Sequence, residues 1–375
     1  MYLAISQLML KRSRPTKMGQ DDSQILGREW MRLLRGVAGW ATFAALCAGM
    51  VCALSSGADA EQITLRLHTF SAPQAIANRL FIQPWAQAIE EKSGNRVEIQ
   101  VFTAMQLGGK PSDLYGQARD GVVDIVWTLP GYSPGRFPLT EVFELPSVAG
   151  DAVATSQALT EFYRKWMRDE YKDTRPLVFH VTARGHLHTA GKQIRTLEDF
   201  EGLKMRASSR TSTAMLRALG AIPVGMPVPD VYEALSRSVV DGTWVPWSVM
   251  RPFRLHEVTK YHTEVALSCA VFVMTMNQQR YDQLPPDIRA IIDDSTGIPL
   301  AKRLGPIWED DEKPSRALAL ERGDPIVSLS EAERARWEKA TRTVVESWIE
   351  RVSALGYDGR ALIADAKRLV AKYSN

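Results

Sequence analysis

The chain has 375 residues, of which 45% are hydrophobic and 24% are charged, and its formal net charge at pH 7 is +3. This length allows two domains that each bury an apolar core, and the composition excludes a disordered or fibrous protein.

The N-terminus has the three parts of a secretory signal peptide. A basic start is followed by an apolar run over 37–54 and by a small-x-small sequence that ends at Ala60. We expect export of the chain and cleavage after Ala60. An uncleaved membrane anchor is the alternative, because the apolar run could almost span a bilayer. Met31 begins a conventional signal and is an alternative translation start.

Removal of residues 1–60 makes the exported chain neutral. It keeps 39 basic and 39 acidic residues, because the excluded segment holds seven of the former and four of the latter. Nucleic acid is therefore not an expected partner. Cys269 is the single cysteine left, so neither an intramolecular disulfide nor a thiolate metal cluster is expected.

Apolar periodicity predicts alternating strands and helices from residue 63 to residue 129. The predicted strands are 63–69, 96–102 and 122–129, and the predicted helices are 74–92 and 111–119. The third strand is a nearly continuous apolar run, which is typical of a buried parallel strand. This order implies right-handed crossovers and an α/β domain.

The pattern repeats after residue 176, which indicates a second α/β unit. Its predicted strands are 176–183, 203–207 and 241–246, and its predicted helices are 211–219 and 228–240, with a helical turn that Thr196 caps. A further strand at 269–277 precedes amphipathic helices, including 331–354 and 359–373. We expect two hinged domains, 61–183 with about 272–312 and 184–271 with about 313–375.

The sequence GYSPG at 131–135 has the spacing of a hydrolase nucleophile elbow. That motif needs the backbone N–H of the residue after the serine, and here this residue is Pro134, which has none. We interpret 131–135 as a tight loop and predict no enzyme activity, since no other nucleophile, metal site or acid/base pair is recognisable.

Two histidines two residues apart, His186 and His188, are a candidate metal site. Alternate residues of a strand face the same side, and imidazoles suit zinc or copper. No third ligand is in register, so hydrogen-bonded histidines that line a cleft are the preferred interpretation. A metal-binding receptor stays an alternative.

Arg206 follows two apolar residues at the end of a predicted strand. We expect it to reach into the crevice at the strand ends, where its N–H groups match a carboxylate. Aromatic residues at neighbouring strand ends are expected to cover an apolar ligand, although packing in the core would explain them too. These are Trp127, Tyr132, Trp244 and Trp247.

The segment 196–246 resembles the signature of the DctP-type solute-binding proteins of TRAP (tripartite ATP-independent periplasmic) transporters. The resemblance extends from ITLRLHTF at 63–70 through MQLGGKPSDLYGQARDGVVDI to LPPDIRAIIDDS, so it covers nearly all of the exported chain. It implies a two-domain periplasmic binding protein fold with hinge strands, a long domain-spanning helix and a helical C-terminal tail. It further implies a monomer that needs no cofactor and delivers an organic acid to a membrane permease.

In this family the arginine that matches Arg206 binds the ligand carboxylate. The chain departs from the family twice, with His186 where sialic-acid binders have a second arginine and Val245 where many members have a ligand-contacting asparagine. One firm cation beside an apolar wall favours an aromatic or hydrophobic monocarboxylate. A C4-dicarboxylate or a 2-oxo acid is the alternative ligand. Phe70 and Met226 complete the expected pocket.

Overall fold

The fold is built on two β-sheets, which the computed structural model describes within residues 62–374. The predicted signal peptide, its cleavage after Ala60 and the alternative start at Met31 lie outside the described residues. Within them, no helix has the length and apolar character needed to cross a membrane.

Strands and helices alternate through most of the described chain. In chain order the strands are β1 (Ile63–Thr69), β2 (Val97–Phe102), β3 (Ile125–Thr128), β4 (Thr174–Val181), β5 (His186–Thr189), β6 (Lys204–Ala207), β7 (Ile222–Gly225), β8 (Gly242–Val245), β9 (Tyr261–Glu264), β10 (Val271–Asn277) and β11 (Ile326–Ser328). The α-helices are α1 (Gln83–Lys92), α2 (Leu114–Arg119), α3 (Ala152–Phe162), α4 (Arg210–Ala218), α5 (Val231–Ser236), α6 (Trp247–Met250), α7 (Gln278–Asp282), α8 (Pro286–Asp294), α9 (Gly297–Asp310), α10 (Glu312–Glu321), α11 (Glu331–Ser353) and α12 (Gly359–Tyr373).

The first sheet has the strand order β2-β1-β3-β10-β4. Strands β1, β2 and β3 are parallel, and β10 runs antiparallel to both β3 and β4. Leu65 and Leu67 alternate into the core and are fully buried, as expected from the period of two. The whole of β10 is buried because it has a partner strand on each side. The strands predicted at 63–69, 96–102, 122–129 and 269–277 are confirmed. The strand predicted at 176–183 is also present, as β4, but it belongs to the first sheet and not to the second α/β unit, because its partner strand is β10.

The second sheet has the order β11-β9-β5-β8-β6-β7. Strand β6 is parallel to both β7 and β8, whereas β5 is antiparallel to its neighbours β8 and β9. The predicted strands at 203–207 and 241–246 are confirmed. Strands β7, β9 and β11 are not among the predicted strands. Their sequences, IPVG, YHTE and IVS, show neither a clear apolar alternation nor a continuous apolar run with neighbours on both sides.

Two segments without regular secondary structure, residues 182–185 and 265–270, connect the sheets side by side. The Thr182 N–H donates to the Ala270 carbonyl at 3.1 Å, and the Gly185 N–H donates to the Ser268 carbonyl at 2.8 Å. These are the hinge strands of the expected fold class. The strands of each sheet fall within one of the two predicted domain ranges, while the division into domains stays a prediction.

Helix α11 has 23 residues and a length of about 34 Å at 1.5 Å per residue. Near its start Arg336 pairs with Glu198, which belongs to the second α/β unit. Near its end the Trp348 indole N–H donates to the Pro138 carbonyl at 2.8 Å, and Arg351 pairs with Glu141 at 2.8 Å. The helix therefore contacts both halves of the molecule, as expected for a domain-spanning helix.

The C-terminal helix α12 packs against α3, which covers β4. Lys165 and the Trp166 indole both bond Asp365, at 3.0 Å and 2.8 Å, just after α3 ends. These contacts attach α12 to the first sheet, so they do not support its assignment to the second domain. Helix α3 is not among the predicted helices.

Helices α3 and α9 approach closely at Gly305, where a Cβ would lie 2.4 Å from the Cα of Val153. We expect Gly305→Ala to lower the free energy of unfolding by about 1–3 kcal/mol, since it overpacks the contact and outweighs the gain in helix propensity. Gly116→Ala, in α2, is the control because a Cβ there meets nothing within 4 Å. Urea denaturation measures the unfolding free energy of both variants. Equal unfolding free energies for Gly305→Ala and Gly116→Ala would contradict the prediction.

Candidate functional site

Arg206 lies in the interior of the second sheet, on β6 between β7 and β8. Its side chain is 2% exposed. The Nε–H donates to the Met226 carbonyl at 2.9 Å, and Nη2 donates to the Tyr132 hydroxyl at 3.5 Å. The next residue on the strand, Ala207, is part of a cavity wall.

The charge of Arg206 has no carboxylate within 4.0 Å in the part of the chain that the structure describes. The nearest acidic influence is Asp230, whose charge acts on the guanidinium without forming a salt bridge. Burial lowers the pKa of the guanidinium, but arginine starts so far above neutrality that it stays protonated. A buried charge without an opposite partner costs several kcal/mol. An anion that reaches this point would recover that free energy.

The Tyr132 hydroxyl connects Arg206 to the opposite side of the site. It lies on the loop after β3 and accepts a 3.0 Å hydrogen bond from the Val228 N–H. Burial raises the pKa of Tyr132, so the phenol is neutral. Its ring meets the Phe70 ring edge to face, with 5.5 Å between the centroids.

A cavity of about 1040 Å³ lies beside this hydrogen-bonded group, and both halves of the molecule line it. The first half, which carries the first sheet, contributes mainly apolar surface and one basic residue. The second half, which carries the second sheet, contributes hydroxyl, basic and apolar groups and one acidic residue, Asp230. Its principal lining residues are Phe70, Met105, Lys110, Tyr132, Ser208, Ser209, Arg210, Thr213, Met226, Asp230 and Phe253.

Ser209 caps α4 at the cavity wall and links the two halves. Its Oγ accepts the Ser212 N–H at 3.1 Å and donates to the Glu144 carboxyl at 2.5 Å. Glu144 lies between β3 and α3 and is 5% exposed. Burial raises its pKa to about 7, and the nearby Glu141 charge adds to this rise.

The loop 131–135, predicted as a tight loop, packs directly on the start of α4. A Cβ at Gly131 would lie 2.7 Å from the Ser209 Cβ, and one at Gly135 would lie 2.8 Å from the Arg210 guanidinium. Gly135 also has φ +85°, which favours glycine. The Ser133 hydroxyl donates to the Ser112 carbonyl at 3.4 Å and has no base beside it.

Trp127 supports the cavity wall from behind and does not line the cavity. Its ring stacks on Phe70 at 5.3 Å and on Phe272 at 4.4 Å, and its indole N–H donates to His180 at 2.9 Å. Burial lowers the pKa of His180 to about 3, so it accepts this bond as a neutral ring. The column continues from His180 to Trp308 at 5.4 Å.

Trp244 and Val245 also lie behind the wall. Both line a small separate cavity of about 30 Å³ behind Ser208 and Ser209. The Trp244 ring packs on the hinge, where a Cβ at Gly185 would lie 2.6 Å from its Cδ1. The prediction that these two residues contact ligand is therefore not supported by this geometry.

His186 faces a buried polar cluster and does not line the large cavity. Its Nε2 is 4.0 Å from Glu312, which accepts the N–H groups of Trp247 and Ser248 at 2.9 Å and 2.8 Å. Burial lowers the pKa of His186 to about 4 and raises that of Glu312 to about 7. Trp247 belongs to the same cluster, since its indole N–H donates to Glu264 at 3.3 Å.

His188 is paired with another histidine. Its Nδ1 is 2.8 Å from Nδ1 of His262, and its Nε2–H donates to the Val245 carbonyl at 3.2 Å. These bonds satisfy both ring nitrogens of His188. Within residues 62–374, no group of three or more His, Cys, Asp or Glu side chains could hold a metal ion.

The structure thus brings Phe70, Tyr132 and Met226 together at the cavity, with Arg206 bonded directly behind two of them. Other residues that line the cavity are not among the predicted site residues. They are chiefly Lys110, Arg210, Phe253 and the two serines that follow β6, Ser208 and Ser209. The two serines could have been predicted from the sequence, because they lie between a strand end and a helix start, where α/β proteins bind ligands.

Comparison with known proteins places the chain in a family. The sequence model of the bacterial extracellular solute-binding proteins, family 7 (DctP), matches residues 69–351. The chain belongs to this family.

Similar solved structures share the fold. A TRAP solute-binding protein from Rhodoferax ferrireducens, in complex with copurified benzoate, is 42% identical with a TM-score of 0.81; the match covers 83% of this chain and 98% of that protein. A marine metagenome protein specific for aromatic acid ligands, solved with 3-hydroxybenzoate, is also 42% identical with a TM-score of 0.81, over 84% and 99% of the chains.

A relative with a different ligand class is more distant in sequence. The C4-dicarboxylate-binding periplasmic protein DctP of Rhodobacter capsulatus is 28% identical over 305 residues, which are 80% of this chain and 91% of that protein.

Protonation of Glu144 should make stability depend on pH. Its pKa is about 7 in the fold against 4.5 in an unfolded chain, so its favourable contribution is complete below pH 4.5 and is lost as the pH rises through 7. Between pH 5 and pH 8, titration of Glu144 should lower the unfolding free energy of the wild type by up to about 3 kcal/mol. Glu144→Gln has no such group, so we expect its unfolding free energy to fall less over the same range. Urea denaturation across this range measures it.

Glu346→Gln, at an exposed position on α11, is the matched control and should follow the wild-type pH profile. If Glu144→Gln shows the same profile as wild type, the buried carboxyl does not titrate in this range.

Proposed function

We propose that the protein is the periplasmic ligand-capturing subunit of a TRAP transporter and that it binds an aromatic or otherwise hydrophobic monocarboxylate. The observation that carries the proposal is the buried Arg206 guanidinium without a carboxylate partner within 4.0 Å among the described residues. The ligand carboxylate supplies the missing charge, and its two oxygens match the N–H groups of a guanidinium.

The cavity wall supports an apolar body for this ligand. Phe70, Met226 and Phe253 provide apolar surface, and the neutral Tyr132 hydroxyl adds one polar contact. The two similar structures bind benzoate and 3-hydroxybenzoate, which have this chemistry. A second carboxylate would find no buried cation, because Lys110 and Arg210 are exposed to water at the wall.

Ligand capture works by closure of two lobes. We propose that these are the predicted domains, 61–183 with about 272–312 and 184–271 with about 313–375, except that helix α12 moves with the first lobe, against which it packs. The hinge is the pair of segments 182–185 and 265–270. The ligand shifts the equilibrium towards the closed state by the difference between its binding free energies for the closed and the open state. Tyr132 and Val228 bond across the cleft at 3.0 Å, so closure brings the first lobe to Arg206.

The proposed cellular setting follows from the family and the N-terminal sequence. A cleaved signal peptide would release the chain into the periplasm, where it would act as a monomer and deliver its ligand to membrane permease subunits. Binding of benzoate would group the chain with the aromatic-acid binders. Binding of succinate would group it with the dicarboxylate binder of Rhodobacter capsulatus.

Removal of the Arg206 charge should abolish tight binding. We expect Arg206→Gln to weaken benzoate binding by about 2–5 kcal/mol, which is roughly 30-fold to several thousand-fold, because the carboxylate would be buried without its partner. Isothermal titration calorimetry on the exported form of the chain measures this change.

Arg217→Gln removes one charge at an exposed position of α4 and is the matched control. It should bind benzoate as wild type does. Circular dichroism checks that Arg206→Gln is folded, and tight benzoate binding by the folded variant would refute the role of Arg206.

Ligand choice should follow the apolar wall and the single buried cation. We expect cyclohexanecarboxylate to bind within about tenfold of benzoate and succinate to bind at least about 100-fold more weakly, since its second carboxylate would be buried unpaired. A thermal-shift series with the three acids measures the order, because a ligand that binds only the folded state raises its melting temperature. A larger shift with succinate would establish the dicarboxylate alternative.

A further inference from the structure

A second cavity, of about 430 Å³, borders the edge of the first sheet and shares no lining residue with the first cavity. It lies beside β4, which has only β10 as a partner strand within residues 62–374. Helix α3 covers one end of this edge, where Ser156 and Thr160 bond the backbone of Val181 and Phe179. The cavity lies next to this covered end, along 174–179.

Four basic side chains and one acidic side chain line this cavity. The basic residues are Arg164, Arg168, Lys172 and Arg175. The acid is Asp293, which is already used, since it pairs with Arg175 at 3.0 Å and accepts the Tyr281 hydroxyl at 2.6 Å. The other three cations have no salt bridge to a residue in the described part of the chain. The cavity therefore carries three positive charges on exposed side chains, and no salt bridge among the described residues compensates them.

Neutral donors face the same space. The Tyr163 phenol lies among the guanidiniums: burial raises its pKa, and the charges of Arg175, Arg168 and Arg164 oppose that rise. The start of α9 forms another part of the wall, and its N-cap Thr296 makes no side-chain capping bond. Pro299 has no N–H, so the donors that this helix start can offer to an anion are the N–H groups of Gly297 and Ile298.

Arg164 reaches the backbone at the start of α9. Its Nη2 lies 3.2 Å from the position that a Cβ on Gly297 would take. The absence of a side chain at this position allows the guanidinium to approach the helix start, so the two positive features share one corner of the cavity.

We propose that this cavity binds the phosphate group of an organic phosphate. A carboxylate is satisfied by one guanidinium, whereas a phosphate offers oxygens in several directions and suits three cations with helix N–H donors. The cavity volume lies in the range of about 300–1,000 Å³ that is typical of small-molecule sites, so it has room for more than the phosphate. Leu177, Val178 and Phe179 give that remainder an apolar floor.

The direct test is a titration of the exported form of the chain with inorganic pyrophosphate at low ionic strength, followed by calorimetry. We expect saturable binding with one site per chain. The double variant Arg164→Gln/Arg168→Gln should weaken it at least tenfold, while benzoate binding at the other cavity stays unchanged. Benzoate affinity thus separates the outcome of this test from that of the proposed function.

Lys302→Gln/Arg303→Gln is the matched control, because it removes two exposed charges from α9 that do not line the cavity. Equal losses in the two double variants would show general charge attraction and overturn the proposal. The absence of saturable binding by the wild type would overturn it as well.

A second arm identifies the source of the phosphate. Sedimentation with phosphatidylglycerol vesicles should be lost in Arg164→Gln/Arg168→Gln and competed by pyrophosphate if the ligand is a phospholipid headgroup. The other outcome is that Arg164→Gln/Arg168→Gln weakens pyrophosphate binding but leaves vesicle sedimentation unchanged. This result would assign the site to a soluble phosphate compound.

Discussion

The guanidinium of Arg206 is almost out of contact with water, and its hydrogen bonds go to a carbonyl and a phenol. A charge in this setting destabilises the empty protein, so the free energy is recovered only when an anion arrives. Both halves of the chain contribute a group that contacts this guanidinium. Tyr132 approaches from the first half of the chain, and the Met226 carbonyl fixes the guanidinium plane from the second. In the proposed complex, the ligand carboxylate would meet a cation whose orientation is already set.

The path of the chain explains how the two halves meet at this point. Residues 182–185 and 265–270 pass between the sheets side by side and bond each other, so neither sheet can move without bending both segments. Next to them, Glu144 bonds Ser209, which caps α4 and lines the ligand cavity. The hinge, the helix start and the cavity wall are consecutive contacts, so a movement at the hinge would be transmitted to the residues that line the cavity.

Much of this architecture could be predicted from periodicity, because long strands such as β1 and β10 carry clear apolar patterns. The position of Arg206 at a strand end and the place of Phe70 could be predicted for the same reason. The pattern could not tell which face of a short strand meets the cavity. His186 and Trp247 point into a polar cluster around Glu312, and that choice depends on partners more than 50 residues away. Sequence spacing carries no record of such long-range contacts.

The ring of Phe70 is the outermost member of a continuous stack that passes through Trp127, Phe272 and His180 to Trp308 in α9. Every ring behind the first is buried and in contact with the next, and the indole N–H of Trp127 is fixed on His180. Close-packed interiors of this kind yield little to added volume. The wall therefore behaves as a rigid surface. If the proposed aromatic acid binds here, discrimination between differently substituted rings would depend on their steric fit against this wall.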